Sequence, residues 1–178
     1  MKRFAVLVMV VLSVSLFFAC DLDPDLTPIE VKETSIKYVR YGIPKSMWNR
    51  KYLILKSAEQ RDEYIELLYA KYAENARDPK PLEDYIIWDS FTLALNKYSD
   101  NFFDTSDLVM ILRWEPHTGI SHKVDKIGIK NSNLYIRIKR MISVGGAIPV
   151  GWHILVPIKK KSFNGDKVVI EYCDTKRY

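Results

Sequence analysis

Glu115, His117, His122 and Asp125 crowd into one short stretch, and all four carry side chains that can bind a metal. A zinc-like ion needs imidazole and carboxylate donors converging at about 2.0 to 2.2 Å. The two histidines, separated by Thr118-Gly119-Ile120-Ser121, follow no recurrent ligand spacing. A polar loop leading into a strand accounts for the stretch, and neither a metal nor another cofactor is expected. Ser121 and His153, with any of several aspartates, contain the atoms of a nucleophilic triad. Such chemistry needs its serine on a sharp turn beside a base and an oxyanion hole, and no Gly-x-Ser-x-Gly occurs. Gly145-Gly146 lacks the Lys-Ser/Thr continuation of a phosphate loop, so it is read as a flexible connection between strands. The chain is therefore read as non-catalytic, with a hydrolase as the weaker alternative.

The cysteine chemistry is more telling. Lys2 and Arg3 precede an uncharged run from Phe4 to Ala19, which ends at Cys20 beside Asp21, Asp23 and Asp25. That is the order of an export signal. As a helix the run spans roughly 24 Å, short of the ~30 Å hydrocarbon layer, so a cleaved signal fits better than a permanent span. Leu16-Phe17-Phe18-Ala19-Cys20 resembles a relaxed lipobox, in which Cys20 takes the lipid and becomes the first residue of the mature protein. The expectation is a signal peptide over 1–19, a Pro-containing tether over 20–34 and a single globular domain over 35–178. The only other cysteine, Cys173, then has no intramolecular disulfide partner.

Charge limits the partners. Of 27 basic residues only Lys2 and Arg3 fall in the signal, against 22 acidic residues in the rest. The mature excess of about three positive charges is too small to indicate nucleic acid. Lys159-Lys160-Lys161 is read as a solvated hairpin end.

The elements follow from apolar period. Alternation over Ile36 to Tyr41 and the run Lys51 to Lys56 indicate strands. Ser57 and Gln60 form a capping-box pattern, opening a helix from 58 to about 75 in which Tyr64, Leu67, Leu68, Lys71 and Tyr72 keep helical spacing. Asp78-Pro79-Lys80-Pro81 closes that helix, and Leu82 to Lys97 is read as a second one. Leu108 to Leu112 is apolar throughout, as in a strand buried on both faces. Val124 to Lys130, a turn at Asn131-Ser132-Asn133, and Leu134 to Arg140 read as a hairpin. In its second strand Leu134, Ile136 and Ile138 face inward and Tyr135, Arg137 and Lys139 outward. Trp152, Ile154, Val156 and Ile158 are another inward set, and Val168 to Tyr172 follows a turn. Pro157 cannot donate to a ladder, so one side of its strand is expected to be bare or bulged there. The fold class is α+β, with a mostly antiparallel sheet of five to seven strands covered by one or two helices.

Tyr98-Ser99-Asp100-Asn101-Phe102-Phe103, the run Leu108-Val109-Met110-Ile111-Leu112, a Gly-containing loop, two alternating strands and Trp152-His153-Ile154 follow one another in an order that resembles a poorly characterised group of exported bacterial lipoproteins. More loosely, the order is similar to the C-terminal domain of the accessory lipoprotein of a spirochete surface protease complex. In this chain Glu115-Pro116-His117-Thr118-Gly119-Ile120-Ser121 replaces a threonine- and glycine-rich turn. The resemblance implies a lipid-anchored envelope protein on the exported side of a membrane. It would act as a non-catalytic accessory to another exported protein, the alternative being a lipoprotein that binds a ligand or the envelope. Tyr135, Arg137 and Lys139 are the candidate partner-binding residues, because Tyr and Arg are enriched at interface hot spots.

Overall fold

The computed structural model describes residues 25–40, 43, 47, 49–75, 86–165 and 167–176. The expected signal and Cys20, the breaker residues Gly42 and Pro44, the expected helix stop at 78–81 and the first residues of the expected second helix lie outside them. The described residues form eight strands and three α-helices. The strands are β1 (Thr27–Pro28), β2 (Lys37–Arg40), β3 (Tyr52–Leu55), β4 (Ser106–Glu115), β5 (Ile120–Lys130), β6 (Asn133–Ile142), β7 (Val150–Lys159) and β8 (Val168–Lys176); the helices are α1 (Ala58–Asn75), α2 (Ile86–Leu95) and α3 (Asp100–Thr105). None of these helices is long and apolar enough to cross a membrane.

The α+β class holds, but the strands divide into two four-stranded sheets rather than one. A middle sheet runs β2-β7-β4-β3, and an outer sheet runs β1-β5-β6-β8. Every strand pair is antiparallel except β6 with β8. The division follows from the faces of β4. All five residues from Leu108 to Leu112 are buried, with Leu108, Met110 and Leu112 packed in the cluster that holds Tyr64, Leu68, Phe91 and Leu95 of the helices. Val109 and Ile111 point the other way, into a cluster with Ile154 and Val156 of β7 and with Leu134, Ile136 and Ile138 of β6. One helical layer covers one face only. The second apolar face needs the amphipathic β5–β6 hairpin, whose alternation leaves one side wet.

Local signals place the boundaries. Ser57 Oγ accepts the Gln60 N–H at 3.2 Å, and Gln60 Oε1 accepts the Lys56 N–H at 2.8 Å, so the cap reaches one residue further back than a simple capping box. Tyr64 and Leu68 are buried one turn apart, whereas Leu67, expected inward, is 43% exposed. The short α3 was not foreseen; its six residues carry too little period to register. Asn131 and Ser132 both adopt positive φ, 51° and 62°, as a two-residue hairpin turn requires. Pro157 lies just past the end of the β2–β7 ladder, which stops at Leu155, so one side of β7 is bare there among the described residues and no donor is missed.

From Thr27 onward, the stretch read as tether lies on the domain. Thr27 and Pro28 pair with Ile129 and Gly128, while Ile29 and Val31 pack against the inter-sheet core. A Cβ at Gly128 would stand 2.6 Å from the Thr27 carbonyl oxygen, so the seat of β1 requires glycine.

Candidate functional site

Along β6 the register sends Leu134, Ile136 and Ile138 into the core and Tyr135, Arg137 and Lys139 to the opposite face, each half-buried. The described helices pack on β2, β3 and β4, so none of them covers this outer face. A bulge in β5 between Val124 and Lys126 supplies its acid. Arg137 reaches Asp125 through Nε at 2.7 Å and Nη2 at 2.6 Å, and Lys139 Nζ reaches the other carboxylate oxygen at 2.7 Å. Burial would raise the Asp125 pKa, but the hydrogen bonds from Lys139 and Arg137 outweigh it and hold the carboxyl below the usual range. The three expected contact residues therefore share one face. The two basic ones are braced by a single carboxylate, which limits the conformations they can sample.

The metal-type stretch resolves differently from the expected polar loop. Glu115 ends β4 and His122 lies in β5, both with side chains fully buried between the sheets. His122 Nε2 lies 2.9 Å from Glu115 Oε1. Arg113 Nε donates to the same oxygen at 2.9 Å, and Arg140 spans both oxygens from Nε at 3.0 Å and Nη2 at 2.7 Å. Arg140 Nη1 continues to Asp174 at 2.8 Å. Aromatic rings complete the cluster, with Arg113 over Tyr172 at 4.5 Å, Arg40 over Trp152 at 4.8 Å, and His122 edge-on to Trp152 at 5.1 Å. Asp125 stands on the far face of the outer sheet, and His117 Nδ1 accepts the Gly119 N–H in the connecting turn. Among the described residues no group of three or more metal-binding side chains converges.

Burial alone would raise the Glu115 pKa. The donors on His122, Arg140 and Arg113 reverse that effect and bring it to about 2. A carboxylate that stays ionised accepts a hydrogen from His122, so Nε2 carries it. At neutral pH this group is too weak a base for proton abstraction, and it has no exposed surface. Its chemistry is cohesive: one anion draws β4, β5 and β6 together where the chain crosses between sheets.

The remaining candidates lie apart. His153 is fully buried on the helix side of β7, where Nε2 shares a 2.8 Å hydrogen bond with Tyr64 Oη and Phe91 meets the ring edge-on. Burial pushes its pKa down to about 3. Ser121 lies in the outer sheet, on the other side of the middle one, so no triad assembles with His153. Cys173 is half-buried on β8, with Sγ 3.8 Å from the Ile138 carbonyl. Gly145 and Gly146 lie in the β6–β7 connection, pressed against the β4–β5 turn at Thr118 and Gly119, and Thr118 N donates to Gly146 O at 3.1 Å.

The Glu115 cluster was missed, although the sequence carries its signal. Arg113 and Glu115 keep the strand parity of Val109 and Ile111, and Arg140 keeps that of Ile136 and Ile138, so each charge faces inward. Comparison with known protein families, with curated proteins and with solved structures finds no match to this chain.

Proposed function

We propose that this chain is a lipid-anchored envelope protein whose sandwich is a non-catalytic module for docking another exported protein. Residues 1–19 act as the signal, Cys20 carries the acyl chains, and the short segment up to β1 is the tether. The observation that carries the docking reading is the outer face of β5 and β6. It is uncovered by any described helix, and it presents a tyrosine, an arginine and a lysine with their charges held by Asp125. Basic side chains held by one carboxylate lose little freedom on binding, and half-buried Tyr135 adds contact area beside them. Among the described residues, buried Glu115, His122 and His153 are engaged in holding sheets and helices together, and contact surface is the proposed means of action.

Two experiments test this reading. Cys20→Ala should abolish fatty-acid labelling and release the protein from the membrane fraction; unchanged labelling would overturn the anchor. The double variant Tyr135→Ala, Arg137→Ala should leave folding and anchoring intact, since Lys139 still pairs with Asp125. It should weaken recovery of the partner from native membranes by about 2 kcal/mol or more, roughly thirtyfold. Recovery equal to wild type would remove this face from consideration.

A further inference from the structure

The lysines at 159–161 gain a meaning from the path of the chain. β4 and β5 are joined by residues 116–119 and β6 and β7 by residues 143–149, so both connections lie at one end of the sandwich. The opposite end carries the Asn131-Ser132 turn and the β7–β8 connection. β1 runs antiparallel to β5, with Thr27 opposite Ile129, so the chain preceding Thr27 leaves from that second end.

Six residues separate Cys20 from Thr27, and at about 3.3 to 3.6 Å each even a fully extended connection reaches only about 25 Å. A lipid on Cys20 therefore keeps the second end within that distance of the bilayer. The ten-residue strands separate the Glu115 end from this end by roughly 30 Å. At the membrane-proximal end Lys159, Lys160, Lys161 and Lys167 are all exposed. The lysine turn has a defined shape. Ser162 N donates to Lys159 O at 3.0 Å, Lys160 N donates to Thr105 O at 2.9 Å, and Lys161 sits at φ 70°. Exposed Asp100 and Asp104 of α3, which ends at Thr105 beside the lysine turn, and exposed Asp25 just before β1 share this end, so the positive charge is local to the β7–β8 connection.

The geometry points to an interaction surface: the end bearing Lys159, Lys160, Lys161 and Lys167 rests on the anionic head groups of the membrane that holds the chain. This rests on the anchor reading above. Each lysine at such a surface contributes about 1 kcal/mol, or roughly fivefold, so three contribute about a hundredfold to the docked population. Docking would hold the sandwich upright and turn the Glu115 end outward.

The test reconstitutes the full chain into vesicles of zwitterionic lipid alone, or with about one third phosphatidylglycerol, and maps lysine modification by a membrane-impermeant amine reagent. In anionic vesicles Lys159, Lys160 and Lys161 should react at least fivefold more slowly than in zwitterionic ones and recover in 1 M NaCl, where the screening length is about 3 Å. Lys51 and Lys176, at the other end, should not change. Equal reactivity of the two ends in anionic vesicles overturns the proposal. In the variant Lys159→Gln, Lys160→Gln, Lys161→Gln, protection of Lys167 should disappear, and its persistence would overturn the role of charge. The mass of the N-terminal peptide reports acylation of Cys20 independently. A protein without the lipid would fail to stay on either kind of vesicle, whereas a missing docking surface would leave it bound with its two ends equally reactive, so the two failures give different results.

Discussion

Glu115→Gln should lower the unfolding free energy by about 3 to 5 kcal/mol, the cost of leaving buried cations without their anion. For a domain of this size that is a fall in Tm of about 6 to 20 °C, measured by circular dichroism. The glutamine keeps the volume but cannot balance Arg140, whose side chain is only 14% exposed, and its amide NH2 would stand as a donor against Arg140 Nη2 or against the donors that share Oε1. Arg113 contributes less, because its side chain is one-third exposed and can turn toward water. The double variant Glu115→Leu, Arg140→Met removes both charges and should recover most of the loss, since apolar replacement of a buried pair is often neutral or stabilising. A loss below about 1 kcal/mol in Glu115→Gln would show that the carboxylate is not what holds the two sheets at this end.

Acid should destabilise the fold in two steps. His153 has a folded pKa of about 3, below the ordinary 6.5, so the unfolded chain binds the extra proton. Its contribution is intact above pH 6.5 and is lost as pH falls toward 3, by up to about 1.4 kcal/mol per pH unit. Glu115, at about 2 against an ordinary 4.5, adds a second loss of the same sign that begins below about pH 4.5. Between pH 7 and pH 4 the two together remove about 4 kcal/mol. Denaturant titrations across that range measure it. His153→Gln keeps a polar partner for Tyr64 without a titrating ring, so it should flatten the part between pH 6.5 and 4.5. An unchanged slope in that variant would rule His153 out as its source.

What was legible in the sequence follows one rule: local period is readable and layer count is not. The α1 boundaries, the doubly buried Leu108–Leu112 run, the β5–β6 turn and the outward set at 135, 137 and 139 all come from residues within a few positions of one another. The division into two sheets does not, because the strand that pairs with β4 lies beyond the hairpin that separates them. Even so, the doubly apolar β4 beside a half-polar hairpin already implies three layers, since a single sheet with helices on one side would leave Val109 and Ile111 in water. Glu115 and His122 escaped for a related reason. Read as a polar loop, they look solvated; read by strand parity from Val109 and from Val124, they point inward. The face of Tyr135, Arg137 and Lys139 was legible, but its bracing by Asp125 depended on a bulge that no residue pattern announced.

The placement of β5 and β6 between β4 and β7 also bears on how the chain finds its fold. Glu115 and Val150 are 35 residues apart along the chain, and Ser106 and Lys159 are 53 apart, although they are Cα partners in the ladder. The intervening hairpin closes over only two residues. Once it has formed, the open chain left between β4 and β7 shrinks to the two short connections and the width of the hairpin, about a dozen residues in effective length. Loop-closure entropy then opposes the β4–β7 pairing by about 1 kcal/mol less than in the open chain. The β5–β6 hairpin, once paired, thus lowers the entropic cost of bringing the distant strands β4 and β7 together.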